Sequence, residues 1–156
     1  MVDPLPHLTP YLECLHDNGL RLVYVIDTHT HADHLSGARP LVEATGARYV
    51  RYATAPVLDP VTRVSHGEHL DMGNVDVEIW HTPGHTPDHM SLVVTDRRRG
   101  PEPWFVLSGH ALMIGDAGRP DLAPEESAAA LYQSLLKLMT LPDYLEIYPG
   151  AFSGST

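Results

Sequence analysis

Asp27-Thr28-His29-Thr30-His31-Ala32-Asp33-His34 follows directly on the apolar run Leu22-Val23-Tyr24-Val25-Ile26. The run reads as a buried strand over 22–27. The polar cluster therefore stands where a strand ends and a loop begins. Three histidines and one aspartate fall between His29 and His34. A loop can turn several imidazoles toward one point, whereas a continuing strand sends alternate side chains to opposite faces. Neutral imidazole and carboxylate are ligands for zinc, iron and manganese. The other reading is a solvated polar loop that happens to be rich in His. The H-x-H-x-D-H spacing directly behind an apolar strand argues against it.

Upstream of this stretch, Thr9 reads as an N-cap and Pro10 as the first residue of a helix. Leu12, Leu15 and His16 form its inner face, and Asn18-Gly19 ends it. Cys14 falls in this helical pattern and reads as a packed, inert thiol. Downstream, Ser36 to Thr45 reads as a helix stopped by Gly46, and Ala47 to Arg51 as a short strand. Strand, helix, strand is the pattern of a sheet covered by helices, an α/β class. Pro56 to Pro60 reads as a loop, and Gly67 to Gly73 as a turn-rich connection with His66 and His69 exposed. Val75-Asp76-Val77-Glu78-Ile79 alternates apolar and acidic residues, as a strand with one wet face does. It delivers a second loop, His81-Thr82-Pro83-Gly84-His85-Thr86. Met90 to Thr95 and Trp104 to Leu107 read as strands joined by a solvated Arg97–Gly100 turn. Pro124-Glu125-Glu126 opens a last helix, with Ala129, Leu131, Leu135, Leu136, Leu138 and Met139 as its buried face. Leu145 to Tyr148 is a final strand before a Gly/Ser tail.

The chain has 156 residues, one domain's worth, and no repeat or second domain is visible, so 1–156 reads as a single domain. A net charge of −10 with no Lys/Arg cluster argues against a nucleic-acid partner. No apolar run is long enough to span a bilayer and the start carries no signal-peptide pattern, so no membrane partner is expected. One cysteine forms no internal disulfide. These features together lead us to expect a cytoplasmic protein.

The motifs resemble those of the metallo-β-lactamase superfamily. The first cluster has the spacing of its metal motif, and His81 to Thr86 is similar to its second. Ser108-Gly109-His110 stands where the family usually has a Gly-Asp pair. Gly115-Asp116-Ala117-Gly118-Arg119-Pro120-Asp121 resembles a segment of the persulfide dioxygenases and their rhodanese-linked relatives. The resemblance implies an αββα sandwich, two sheets packed face to face between helices. It also implies that the chain starts inside this fold: a Val-Asp-Pro step such as Val2-Asp3-Pro4 follows earlier strands in the family. A homo-oligomer covering the edge near Met1 to Pro4 is the expected consequence, or a rhodanese-like sulfur-transfer partner.

Carried over by position, the metal ligands of the dioxygenase branch are His29, His85 and His110, with His replacing the family's Asp at the last. The alternative is that His110 is no ligand. Dinuclear members such as glyoxalase II also use Asp33 and His34, the bridging Asp and a late His; here Tyr148-Pro149-Gly150 is followed by Ala151-Phe152. One imidazole nitrogen cannot bridge two ions, so one metal is expected. His31, Asp33 and His34 become candidates to orient the ligands or a water, Asp33 also as a general base. His81 and His89 read as packing residues. Arg119 suits a substrate carboxylate, as on glutathione; its pairing with Asp116 or Asp121 is the alternative. The implied function is a dioxygenase with one Fe(II) that oxidises a small thiol persulfide with O₂ to sulfite. A zinc hydrolase of thioesters or lactones, or a degenerate metal-binding module, is the alternative.

Overall fold

The computed structural model describes residues 1–58, 60–121 and 127–151. Helix α1 (Thr9–Asp17) precedes strand β1 (Tyr24–Ile26), helix α2 (Ala38–Thr45), strand β2 (Arg48–Tyr52) and strand β3 (Thr62–Val64). β1, β2 and β3 form one parallel sheet in that order. Then follow β4 (His69–Met72), β5 (Val75–His81), β6 (Met90–Asp96) and β7 (Phe105–Gly109), the small hairpin of β8 (Leu112–Met113) and β9 (Asp116–Ala117), helix α3 (Ser127–Leu138) and β10 (Glu146–Pro149). The second sheet runs β10-β7-β6-β5-β4, antiparallel except for the parallel β10–β7 pair.

Alternation within the strands builds the layers. Tyr24, Ile26, Val50, Tyr52 and Val64 point from the first sheet into one core with Leu70, Val77, Ile79, Met90, Leu92 and Val94 of the second. Val25 points the other way, onto Ala38, Leu41 and Ala47, where Leu8, Tyr11 and Leu12 close the outer face. Val93 and Val106 face outward from the second sheet onto Leu138 and Leu145. The result is helix, sheet, sheet, helix: the α/β sandwich expected from the motifs. Val2 adds a single parallel bridge to Ile26 at the outer side of β1. Among the described residues no helix is long and apolar enough to cross a membrane.

The structure corrects local expectations. Leu8, not Thr9, is the N-cap of α1, and no side chain caps it. α1 has no fully buried residue: His16 is exposed, and so is Cys14, which is therefore not packed. α2 begins at Ala38, not at Ser36, whose hydroxyl donates to Asp27 and accepts from the Ala38 amide. Gly46 ends it at φ 69°, as a left-handed cap should. β4 lies where we expected a turn-rich connection, and β3 in a stretch that the sequence left unassigned. Each has one buried residue, Val64 or Leu70, too few for a period to show. His69 stands in a strand, paired with Asp76 at 2.7 Å. In α3 only Leu131, Ser134 and Leu138 are buried, whereas Ala129, Leu136 and Met139 are exposed. The helix start at Pro124-Glu125-Glu126 and the tail from Phe152 lie outside the described residues.

Candidate metal centre

His29, His85 and His110 each stand just past the C-terminal end of a strand: β1, β5 and β7. β5 and β7 are both antiparallel to β6, so they deliver their loops to the same edge of the sandwich. The first loop is tied to the second sheet where the Met90 amide donates to the Thr28 carbonyl at 2.8 Å. The three rings form a near-equilateral triangle, with centroids 5.0 Å apart for His29–His85, 4.8 Å for His29–His110 and 5.0 Å for His85–His110. One ring nitrogen from each lies within 4.8 Å of the others.

Glycines permit this approach. At Gly118 a Cβ would stand 2.1 Å from the His110 carbonyl oxygen and 2.9 Å from His85 Cβ. At Gly84, φ +135°, it would stand 2.4 Å from Leu131 of α3. Ser134 of that helix donates to the Pro83 carbonyl at 2.7 Å and seats the loop that carries His85.

Hydrogen bonds orient the rings. His29 Nδ1 lies 2.9 Å from Thr28 Oγ1, and Thr28 itself is held by Asp3. His85 Nδ1 donates to the Arg119 carbonyl at 3.3 Å. A ring nitrogen held this way fixes the tautomer and frees the other nitrogen for a ligand. His29 Nε2 and His110 Nδ1 are buried and have no protein partner. Burial, reinforced by the neighbouring imidazoles, holds the His29 ring far below the ordinary range. Burial likewise lowers His85, and burial with His85 lowers His110. Three imidazoles held toward the neutral form, two of them with buried unpartnered nitrogens, are a donor set that fits a divalent metal ion.

The other expected residues take various places. Burial opposes protonation of His31, but its 3.2 Å contact and the charge of Asp3 raise it overall. It packs edge-on against His29 with centroids 4.2 Å apart. Asp33 lies 3.9 Å from His110 and 3.0 Å from His34 Nδ1. Slight burial would raise Asp33, but its own amide and His34 keep its carboxyl low. Two further trios, Asp3–His29–His31 and His31–Asp33–His34, also bring donor atoms within 4.8 Å, both through His31. Arg119 is exposed, with Nε 3.6 Å from Asp121; it is the pairing alternative that the structure realises. His81 packs as expected, stacked on Tyr52 at 4.2 Å.

Sequence reading missed several supports. Asp3, visible in the sequence only as part of a Val-Asp-Pro step, reaches Thr28 and His31. His89, fully buried and pushed down to about 3 by burial first and the charges of His85 and His110, accepts from the His110 amide at 3.1 Å. Asp27, Arg51 and Asp88 are likewise buried. Their signal was weak: a single Asp or Arg inside a strand-end pattern has no period to betray it.

The pattern of the metallo-β-lactamase superfamily matches residues 1–150. A hydroxyacylglutathione hydrolase-like protein of Homo sapiens is 34% identical over 139 residues, 89% of this chain and 47% of that protein. A metallo-β-lactamase of Staphylococcus aureus subsp. aureus COL superposes with a TM-score of 0.88 at 32% identity, over 99% of this chain and 48% of that one. ETHE1 of Myxococcus xanthus does so with a TM-score of 0.84 at 34% identity, over 99% of this chain and 66% of that one. The chain spans about half the length of the curated relatives it matches. With the αββα layers and the histidine loops at one edge, this places the chain in the metallo-β-lactamase superfamily.

Proposed function

We propose that the chain carries the metal centre of a hydrolase acting on a glutathione thioester, with one divalent ion, zinc, held by His29, His85 and His110. The donor set carries this reading: three neutral imidazoles and no carboxylate among them. Three histidines with an open position are a zinc set used to activate water, as in carbonic anhydrase. The relatives named hydroxyacylglutathione hydrolase supply the substrate class. They favour this reading over the persulfide oxidation that the Gly115–Asp121 segment suggests.

Bound there, zinc would supply Lewis acidity to an acyl carbonyl and to a water. The chain's own groups do the rest. Asp33 is ionised at the lip of the site, near His110, and is placed to take a proton from that water. The charge of Asp3 biases His31 toward its protonated form at the floor of the site. Arg119 is exposed and would exchange Asp121 for a glutathione carboxylate, a fork-to-carboxylate match.

A second reading retains Fe(II) and a glutathione persulfide. It rests on the imidazole at position 110 and on Ala151-Phe152 after Tyr148-Pro149-Gly150, which remove two groups that would hold a second ion. Protein purified without added metal decides between them. Zinc near one equivalent with cleavage of an S-hydroxyacylglutathione supports the hydrolase. Iron with oxygen uptake on glutathione persulfide supports the dioxygenase and overturns the first.

A further inference from the structure

We infer that Arg51 is a positioning residue that sets the two metal-bearing loops at their working separation. The inference rests on the reading of His29, His85 and His110 as one metal centre. Arg51 lies on β2, next to neither loop in sequence, and its side chain is 6% exposed. One arm of its guanidinium reaches the start of the first loop: Nη1 donates to Tyr49 Oη at 3.1 Å and lies 3.5 Å from Asp27 Oδ2, on which Tyr49 Oη also donates at 2.6 Å. The other arm reaches both loops at once. Nη2 donates to Thr30 Oγ1 at 2.8 Å and to Asp88 Oδ2 at 3.1 Å. Thr30 closes the ring by donating to Asp88 Oδ2 at 2.8 Å. Asp27 and Thr30 bracket His29, and Asp88 follows His85 by three residues in the same loop.

A planar fork with fixed spacing therefore spans the two chain segments that present the imidazoles. Both carboxylates it joins are buried. The ring contacts between His29 and His85 are the geometry that this clamp holds. No carboxylate sits among the three imidazoles, so no ligand charge pulls an ion into place. Donor spacing then has to be fixed by the frame around the rings, and among the described residues Arg51 is the one side chain from outside the two loops shown bonding to both.

Arg51→Lys tests this. Lysine keeps the buried positive charge, but one ammonium cannot reach Tyr49 and Asp27 on one side and Thr30 and Asp88 on the other. The metal-stripped 156-residue chain is titrated with Zn²⁺ against a chromophoric chelator, and with Co²⁺ for its visible spectrum. Both are read well below the melting temperature, with circular dichroism to confirm native structure. The expected result is zinc affinity weakened by about tenfold, as for groups that orient ligands, and a changed cobalt spectrum. Thr30→Val, which keeps every charge, should shift both in the same direction by less, and decides the question alone if Arg51→Lys fails to fold. Unchanged affinity and spectrum in the folded variants, even with a lowered melt, would make Arg51 a stability residue only and overturn the inference. Wild-type protein that binds neither ion would overturn the metal centre and this inference together.

Discussion

At position 110 an imidazole stands where the family's carboxylate is expected, and the consequence is electrostatic. Three neutral donors leave the full charge of a bound ion uncompensated. His110→Asp restores one negative charge and should raise Fe(II) retention and any oxidative activity, measured by metal analysis after gel filtration. Equal or weaker retention would mean that the pocket has adapted to the longer imidazole. Neutrality also shapes the pH response of the metal-free protein. His29, His85, His89 and His110 all have folded-state pKa values lowered by burial first, His89 to about 3. The unfolded chain takes up protons on these groups below about pH 6.5, while the folded chain does not. Their contribution is therefore complete above that pH and lost as pH falls through it. His31, raised by Asp3 against its burial, works the opposite way: its contribution is present below the unfolded value and lost as pH rises through the folded one. With His81, also lowered by burial, five groups oppose one, so the melting temperature should hold level near pH 7.5 and drop between pH 6.5 and 5. A melt that is flat across that interval would contradict the neutral imidazole set.

Helix α2 shows how an element positions the site. It crosses from β1 to β2 and buries Ala38 and Leu41 on the outer face of the first sheet. Its entry is fixed by Ser36 on Asp27 and by the approach of Gly37 to Leu5, where a Cβ would lie 2.1 Å from the carbonyl oxygen. The helix thus presses on the strand end from which His29 projects. Leu41 is fully buried. Leu41→Ala should cost about 2–5 kcal/mol of stability, the range for emptying a leucine site, read from denaturant unfolding. Because Leu41 packs in the outer cluster with Val25, Ala38 and Ala47, zinc affinity at 25 °C should change less than twofold. A large loss of affinity would show that the loop has little rigidity of its own.

On the scale of the whole molecule, Met1 to Asp3 cover the outer side of β1: the Met1 amino group donates to the Tyr24 carbonyl, the Ile26 amide to the Met1 carbonyl and the Asp3 amide to the Ile26 carbonyl, so the outer edge of this sheet is the short segment around Val2. A strand edge with unpaired amides and carbonyls is a template for another strand. We propose that two copies meet there. Light scattering on the 156-residue chain at micromolar concentration should give twice the chain mass, and Val2→Pro should shift it toward a monomer. A folded monomer with a cooperative melt would remove the proposal.

What the sequence determined by itself was local and periodic. The run into Asp27, the alternation from Val75 to Ile79 and the glycine after Thr45 announced strands, a helix end and two histidine loops, because each signal repeats within a few residues. The resemblance of its motifs to those of the metallo-β-lactamase superfamily implied the sandwich of two sheets and the set His29, His85 and His110. Tertiary structure alone decided the rest. The side chains that hold the site, Asp3, Arg51, Asp88 and His89, meet His29 and its neighbours across tens of residues of chain. A contact between distant segments leaves no period in the sequence. The three-residue β3 and the burial of Ser134 in place of Leu136 were set in the same way, by which surface the packed sheets present to each short segment.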